Sequence, residues 1–405
     1  MKKIGIVCEY NPLHTGHATL LRQAREMGDA VVCVMSGNLV QRGEAAIADK
    51  YARAEAAIAS GADLVLELPF PYAMSGASFF AKGGVSTLAS VGVDTLTFGS
   101  ECGDVSLLAR AASALDEAPA ETADKTRGSA VSHFERLSAL TDGVTFSSND
   151  ILGIEYIRAI RAHGFSMTPV TIKRLGDSYR DTALGASEYA SATAIRNAVF
   201  SGNAKEADRY LPTATREILA REQEAGSVPA ALGNLERAIL FFWRTADPAV
   251  LSTLAELGGG LAERLSWVAA KASTLGELYA LAATKKYTDA HIRRAILYGM
   301  LGVRWEDLEA TPAYTNLLAA NKTGCETLAT LRRGEQAVPI LTKPSDIDVL
   351  CVKYPEREGA LRRAYDLSAR ADALYSLALP AAAPASRWLS GKPFLRAGVD
   401  ENQNL

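Results

Sequence analysis

Two histidines stand three residues apart near the start of the chain, His14 and His17 in the string Asn11-Pro12-Leu13-His14-Thr15-Gly16-His17. The chain holds only five histidines, so two of them in one short string is a concentration of chemistry. The run KKIGIVCEY before them is β-branched, and Leu20, Leu21, Ala24 and Met27 after them have helical spacing, so the pair falls where a strand turns into a helix. A helix start offers unpaired N–H groups and the positive end of the dipole, a ready place for a phosphate. Positions three apart share a helical face, so both imidazoles can address one anion. Gly16 would let that anion approach the backbone closely.

Other residues fit the same chemistry at other strand ends. Gly99 closes TLTFGSE, where it either admits a flat base or ribose or simply turns the chain. Asn149 in SSND can contact a nucleotide or act as a helix N-cap. Arg174 follows the β-branched TPVTIK and is placed to pair with a phosphate. Between Ser36 and Arg53 the chain is too polar for core. Arg42, Asp49, Lys50 and Arg53 there read either as charges near a site or as a solvated helix face. Phe70, Tyr72, Phe79 and Phe80 read as core rather than as a stacking platform.

These residues need a frame. Strands are expected over 3–9, 30–35, 63–67, 94–98, 144–147 and 168–173. Helices are expected over 15–27, 46–60, 78–91, 104–116, 127–140, 150–163 and 192–201. Short apolar strands alternating with helices predict a parallel sheet covered on both faces, with ligands at the carboxyl ends of the strands. After about residue 203 strand-like runs fade, and 234–245, 261–271, 289–301, 314–333 and 358–378 have helical spacing, so a second, mainly helical domain over 203–405 is expected. Residues 379–386 read as a linker and the last ten as a loose tail.

Composition bounds the rest. The 405 residues are 48% hydrophobic, enough for a large core, and the five cysteines are scattered without a CxxC pair. That spacing argues against a zinc ribbon or disulfide framework and suits a reducing cytoplasm. The first strand leaves no room for a signal peptide, and no apolar run approaches the roughly 20 residues that span a bilayer. With a net charge of −3 there is no global attraction to nucleic acid. An RNA surface would have to be local: Lys285 and Lys286 with Arg293 and Arg294, then Arg332 and Arg333, then Arg362 and Arg363. Each pair can equally be a solvated helix face. No Ser–His–Asp set and no metal-ligand cluster is apparent.

The HTGH string after a first strand resembles the HxGH signature of nucleotidyltransferases and class I aminoacyl-tRNA synthetases. GIVCEYNPLHTGH, MSGNLVQRGEAAIADKYARAEAAIASGADLVLELP, FGSE, SSNDILGIEYIRAI and TIKRLGDSY together resemble the tRNA(Met) cytidine acetate ligase family. The likeness is dense over residues 2–200 and continues more thinly through AYTNLLAANKTGCETL and PILTKPSDI. It implies an α/β fold, a doubly wound Rossmann-like parallel sheet forming an ATP-binding catalytic domain over 1–202. The helical domain that follows would contribute to tRNA binding. The implied ATP contacts are Val7, Cys8, Glu9, Tyr10, Asn11, Pro12, Leu13, His14, Thr15, Gly16, His17, Gly99, Asn149, Arg174 and Thr193, with His14, His17 and Arg196 catalytic. In the SATAIR segment Thr193 and Arg196 would close on the β- and γ-phosphates, and the polar stretch from Gly176 to Tyr189 would serve as a lid. The implied activity joins ATP and acetate into acetyl-adenylate, then acetylates the wobble cytidine of elongator tRNA(Met), with Mg2+ arriving with ATP. The residues alone support less, an ATP-binding nucleotidyltransferase-like enzyme. An adenylyltransferase acting on a small phosphorylated cofactor precursor, or a non-catalytic RNA-binding protein with a relic nucleotide site, remains open at this point.

Overall fold

A computed structural model of the chain describes residues 1–118, 137–141, 143–174, 183–184, 187, 189–331, 338–388 and 391–396. Five parallel strands form the centre of the sheet. In spatial order they are Leu64–Leu68, Ala30–Ser36, Lys3–Cys8, Thr95–Ser100 and Thr168–Lys173. The chain therefore starts in the middle of the sheet, winds outward one way and then the other, and leaves a crevice where the direction reverses. All seven residues of Ala30–Ser36 are buried, as a strand covered on both faces requires. Its Val31, Cys33 and Met35 pack with the helices Thr15–Met27 and Lys50–Ala59. Val32 and Val34 pack on the other face, among residues of Ala77–Ser90, Val105–Glu117 and Ser148–Ala162.

Several expectations meet a different outcome. Residues 144–147 are not a strand, because Ser147 there is committed to the capping box of the following helix with Asp150. Residues 137–140 are helical, and most of the helix expected over 127–140 lies outside the described residues. The segment 314–333 is not one helix. Thr315–Ala320 is a strand, antiparallel to Leu64–Leu68, and the helix Lys322–Ala329 follows with Asn321 as its cap. TNLLAA is a short unbroken apolar run, and periodicity cannot tell a fully buried strand from a buried helix turn. The helix expected over 46–60 begins at Lys50, capped by the Asp49 carboxylate, and Ala46 to Ala48 before it are buried. Phe394–Leu395 and Ile340–Leu341 also pair with Thr315–Ala320, so the mainly helical half returns three strands to the sheet.

The helical half has its own core around Trp243, Leu265, Tyr298 and Tyr375. Leu39, Ala45, Phe70 and Met74, from loops at the carboxyl edge of the sheet, belong to that core. Side-chain hydroxyls lock the seam: Tyr298 donates to the Met74 carbonyl at 2.6 Å, Tyr72 to that of Ala310 at 2.7 Å and Tyr375 to that of Ala46 at 2.9 Å. The polar Ser36–Arg53 segment is part of this framework, neither a site wall throughout nor a solvated face. Lys50 and Arg53 are each 3% exposed. Arg53 donates to the carbonyls of Glu9, Ser36, Gly37 and Ala48, tying together two strand ends. The Lys50 ammonium reaches Glu67 at 3.0 Å and Asp372, on the long helix Glu358–Ala378, at 2.8 Å.

Candidate active site

The two histidines cap their own helix. His14 is the N-cap residue, and its Nδ1 accepts from the Gly16 N–H at 3.1 Å. His17, at the third helical position, returns its Nδ1 to the His14 N–H at 3.3 Å. This is the reciprocal geometry of a capping box built from two imidazoles. Because each Nδ1 accepts, each ring carries its proton on Nε2. The rings stack 3.7 Å apart, and Tyr10 meets His17 edge-on at 5.1 Å. Tyr10 is at φ +46, a left-handed turn rare for a side chain of its size and the kind of strain that gathers at functional turns.

Their electrostatics follow from burial. The His14 imidazole is lowered to about 3, by desolvation first and then by the Arg174 charge. His17 is lowered well below its usual value by burial, by His14 and by Arg174, with the Pro12 carbonyl opposing. Both rings are therefore neutral at pH 7 and act as N–H donors rather than cations. Gly16 serves the ring and not an anion, since a Cβ there would lie 3.0 Å from His14 Cε1.

A carboxylate organises the opposite wall. Glu101 accepts from Asn149 Nδ2 at 2.6 Å and from Ser147 Oγ at 2.7 Å, and Arg174 Nε stands 3.5 Å away. Asn149 is not the N-cap; Ser147 is, and that leaves the Asn149 side chain to Glu101 and the cleft. Gly99 makes room for arginine, because a Cβ would sit 3.1 Å from Arg174 Cγ.

The third wall comes from Ala192–Phe200, capped by Ser191, whose Oγ accepts from the Ala194 N–H at 3.0 Å. Arg196 donates to the Asn11 carbonyl at 2.9 Å, to Glu44 Oε2 at 3.3 Å and to Thr193 Oγ1 at 3.4 Å. It is thus seated on the motif loop. Most of the stretch expected as a lid lies outside the described residues. Glu9, at the end of the first strand, accepts from the Gln41 N–H at 2.7 Å, and burial pushes its carboxyl up.

These walls border an open cleft at the carboxyl edge of the sheet. Val7, Cys8, Glu9, Tyr10, Asn11, His14, His17, Gly99, Asn149, Arg174, Thr193 and Arg196 line it, whereas Pro12, Leu13, Thr15 and Gly16 do not. Phe80 is core as expected, yet it also faces the cleft. Sequence reasoning missed Gln41, Glu44 and Tyr156 as lining residues. Tyr156 lies seven residues after Asn149 on one helix, a spacing that shares a face and could have been read.

The basic candidates fare unevenly. Arg293 is bound to Glu44, and Arg294 to both oxygens of Glu256 at 3.0 and 3.1 Å. Arg362 pairs with Glu358 and Asp348, and Arg363 with Asp307. Lys285 is exposed and Lys286 half-buried, while Arg332 and Arg333 lie outside the described residues. Among the described residues there is no group of three or more potential metal ligands and no helix long and apolar enough to cross a membrane.

A family model described as HIGH Nucleotidyl Transferase matches residues 1–387. The tRNA(Met) cytidine acetate ligase of Acetivibrio thermocellus is 33% identical, across 100% of this chain and 99% of its own. That of Syntrophotalea carbinolica is 36% identical across 99% of both. The chain belongs to the tRNA(Met) cytidine acetate ligase family. Among solved structures, Thermotoga maritima TmcAL in its apo form superposes with a TM-score of 0.91 at 32% identity, covering 98% of this chain and 99% of the other. The same protein bound with alpha-thio ATP superposes with a TM-score of 0.88 over the same shares. The doubly wound HxGH fold expected from the sequence is the fold observed.

Proposed function

We propose that the chain is an ATP-dependent acetate ligase acting on elongator tRNA(Met). An acetate oxygen attacks the α-phosphorus of ATP, the bond to the bridging oxygen of the β-phosphate breaks, and pyrophosphate leaves. The exocyclic amine of the wobble cytidine then attacks the acetyl carbonyl of the adenylate, loses a proton, and AMP departs. The observation that carries this reading is the convergence of two neutral Nε2–H imidazoles, Arg174 and Arg196 on one cleft at the sheet's carboxyl edge. No protein nucleophile is needed for such a step. Position and donors aimed at the developing charge do the work, and one well-placed donor is worth about 3 kcal/mol in the barrier.

In this reading Asn149 and Arg174, oriented through Glu101, hold the nucleotide, while Arg196 and Thr193 hold the β- and γ-phosphates. Magnesium enters as part of the MgATP substrate. Residues 1–202 supply the nucleotide chemistry, and residues 203–405 supply RNA contacts. An anticodon loop is an apt substrate, because its bases are already unpaired and can be presented away from their neighbours. A tRNA substrate also places the activity in the cytoplasm. The test is incubation of the chain with ATP, acetate and tRNA(Met), followed by mass spectrometry of the nucleosides. Acetylated cytidine dependent on both ATP and acetate supports the reading. Acetate-independent AMP transfer to a small phosphorylated acceptor would replace it with the adenylyltransferase reading.

A further inference from the structure

The helical half carries a second concavity beside the cleft. Tyr279, Ala280, Ala283, Asp289, Ile292 and Arg293 line an open pit between the helices Leu275–Ala282 and Asp289–Leu301. One residue joins the two cavities. The Arg293 guanidinium lies 5.3 Å from the centre of the Tyr279 ring and donates through Nη1 to Glu44. The other oxygen of that carboxylate receives Arg196, inside the cleft. The contact is tight. Gly43, at φ +70, lies so close that a Cβ there would fall 2.6 Å from the Arg294 nitrogen. The pit and the cleft are therefore held in one fixed relation, with Glu44 as the wall between them.

We propose that this pit receives one unpaired nucleotide of the RNA substrate, a neighbour of the cytidine that enters the cleft. The inference rests on the tRNA reading given above and extends it. RNA loops are read through splayed bases stacked on aromatic rings and arginine planes, with hydrogen bonds to their edges. The pit offers each part: the Tyr279 ring with Arg293 against it, and the exposed Asp289 carboxylate as an acceptor for an exocyclic amine. Burial keeps the Tyr279 phenol protonated, pushed up to about 12. Just before Asp289 stand Lys285 and Lys286, suited to the flanking phosphates, and neither carries an ion pair among the described residues. Arg294 and Arg363 are paired with the buried carboxylates of Glu256 and Asp307, and Arg362 with Asp348 and Glu358 at the surface, whereas Lys285 and Lys286 stand beside the pit without such partners among the described residues.

The test uses the full chain and a transcript of elongator tRNA(Met). Stacking of one base on an aromatic ring sets the scale, so Tyr279→Leu should raise the KM for tRNA by roughly 5- to 150-fold. The KM for ATP in acetate-dependent pyrophosphate exchange, which needs no RNA, should change by less than about twofold, within the additivity error for separate sites. Tyr279→Phe keeps the ring and should stay near the wild-type KM for tRNA. Asp289→Ala, at an exposed position that does not threaten the fold, should raise the KM for tRNA as well. A wild-type KM for tRNA in both Tyr279→Leu and Asp289→Ala overturns the proposal, as does an equal rise in both KM values. Absence of acetate-dependent exchange in the wild-type chain would instead refute the ligase reading. Affinity for the same transcript, measured by fluorescence anisotropy in the same variants, would still decide the pit.

Discussion

Replacing His14 separates two duties that one ring performs. Its Nδ1 caps the helix by accepting from Gly16, and its Nε2–H is left to serve the cleft. Loss of an N-cap acceptor costs about 1 kcal/mol of stability. Loss of one donor aimed at a developing oxyanion costs about 2.7–4 kcal/mol in the barrier, or about 10²- to 10³-fold in rate. His14→Ala should show both losses, since the residue is only 4% exposed. His14→Asn should show only the second. Asparagine restores the cap but is too short to cap and reach the cleft together. The rate is read by acetate-dependent pyrophosphate exchange and the stability by urea unfolding.

A pH series adds an independent check on the same residue. The imidazole is held at about 3 in the folded chain and returns to about 6.5 when unfolded. As pH falls below about 6.5 the unfolded chain takes up a proton that the folded site refuses, so stability is constant above that value and declines below it. The slope is at most about 1.4 kcal/mol per pH unit and ends near pH 3. His14→Asn should remove that share of the slope. Wild-type exchange activity in His14→Asn would show that His14 is a cap and nothing more, and an unchanged acid slope would show that its ring is not held neutral by burial.

Three further perturbations follow from the same geometry. Glu101→Ala should weaken ATP binding by about tenfold, or about 1.4 kcal/mol, because Asn149 and Arg174 lose their common partner; tighter binding by calorimetry would show that its negative charge only repels the nucleotide. Arg174→Ala and Arg196→Ala should each cost about 1.5–3 kcal/mol of ATP affinity, since both line the cleft and Arg196 is anchored there on the Asn11 carbonyl; a loss confined to the rate at saturation would favour a closing role for Arg196. Lys50→Met should destabilise the chain by about 3–5 kcal/mol in urea unfolding, because it leaves the buried Glu67 and the partly buried Asp372 without their cation, and adding Asp372→Asn should recover part of it.

What the sequence makes legible is local. The strand ending at Cys8 and the helix from Thr15 to Met27 carry their own signals, a β-branched run followed by 3.6-residue spacing, and the catalytic candidates between them fall in the cleft. The strand Thr168–Lys173 and the helix Glu358–Ala378 are placed by the same signals. Several of the misreadings share a different cause: they depend on a partner far along the chain. TNLLAA becomes a strand because Leu64–Leu68 offers it an edge. Lys50 becomes structural because Asp372, 322 residues later, reaches it, and Arg293 is paired because Glu44, 249 residues earlier, receives it. A basic residue in a sequence declares a charge but not the carboxylate that will meet it. Net charge and charge runs are therefore poor guides to an RNA surface in a nearly neutral chain. The useful count is of cations left over once carboxylates have taken theirs, and Lys285 and Lys286, beside the pit that Arg293 links to the cleft wall, are among those that remain.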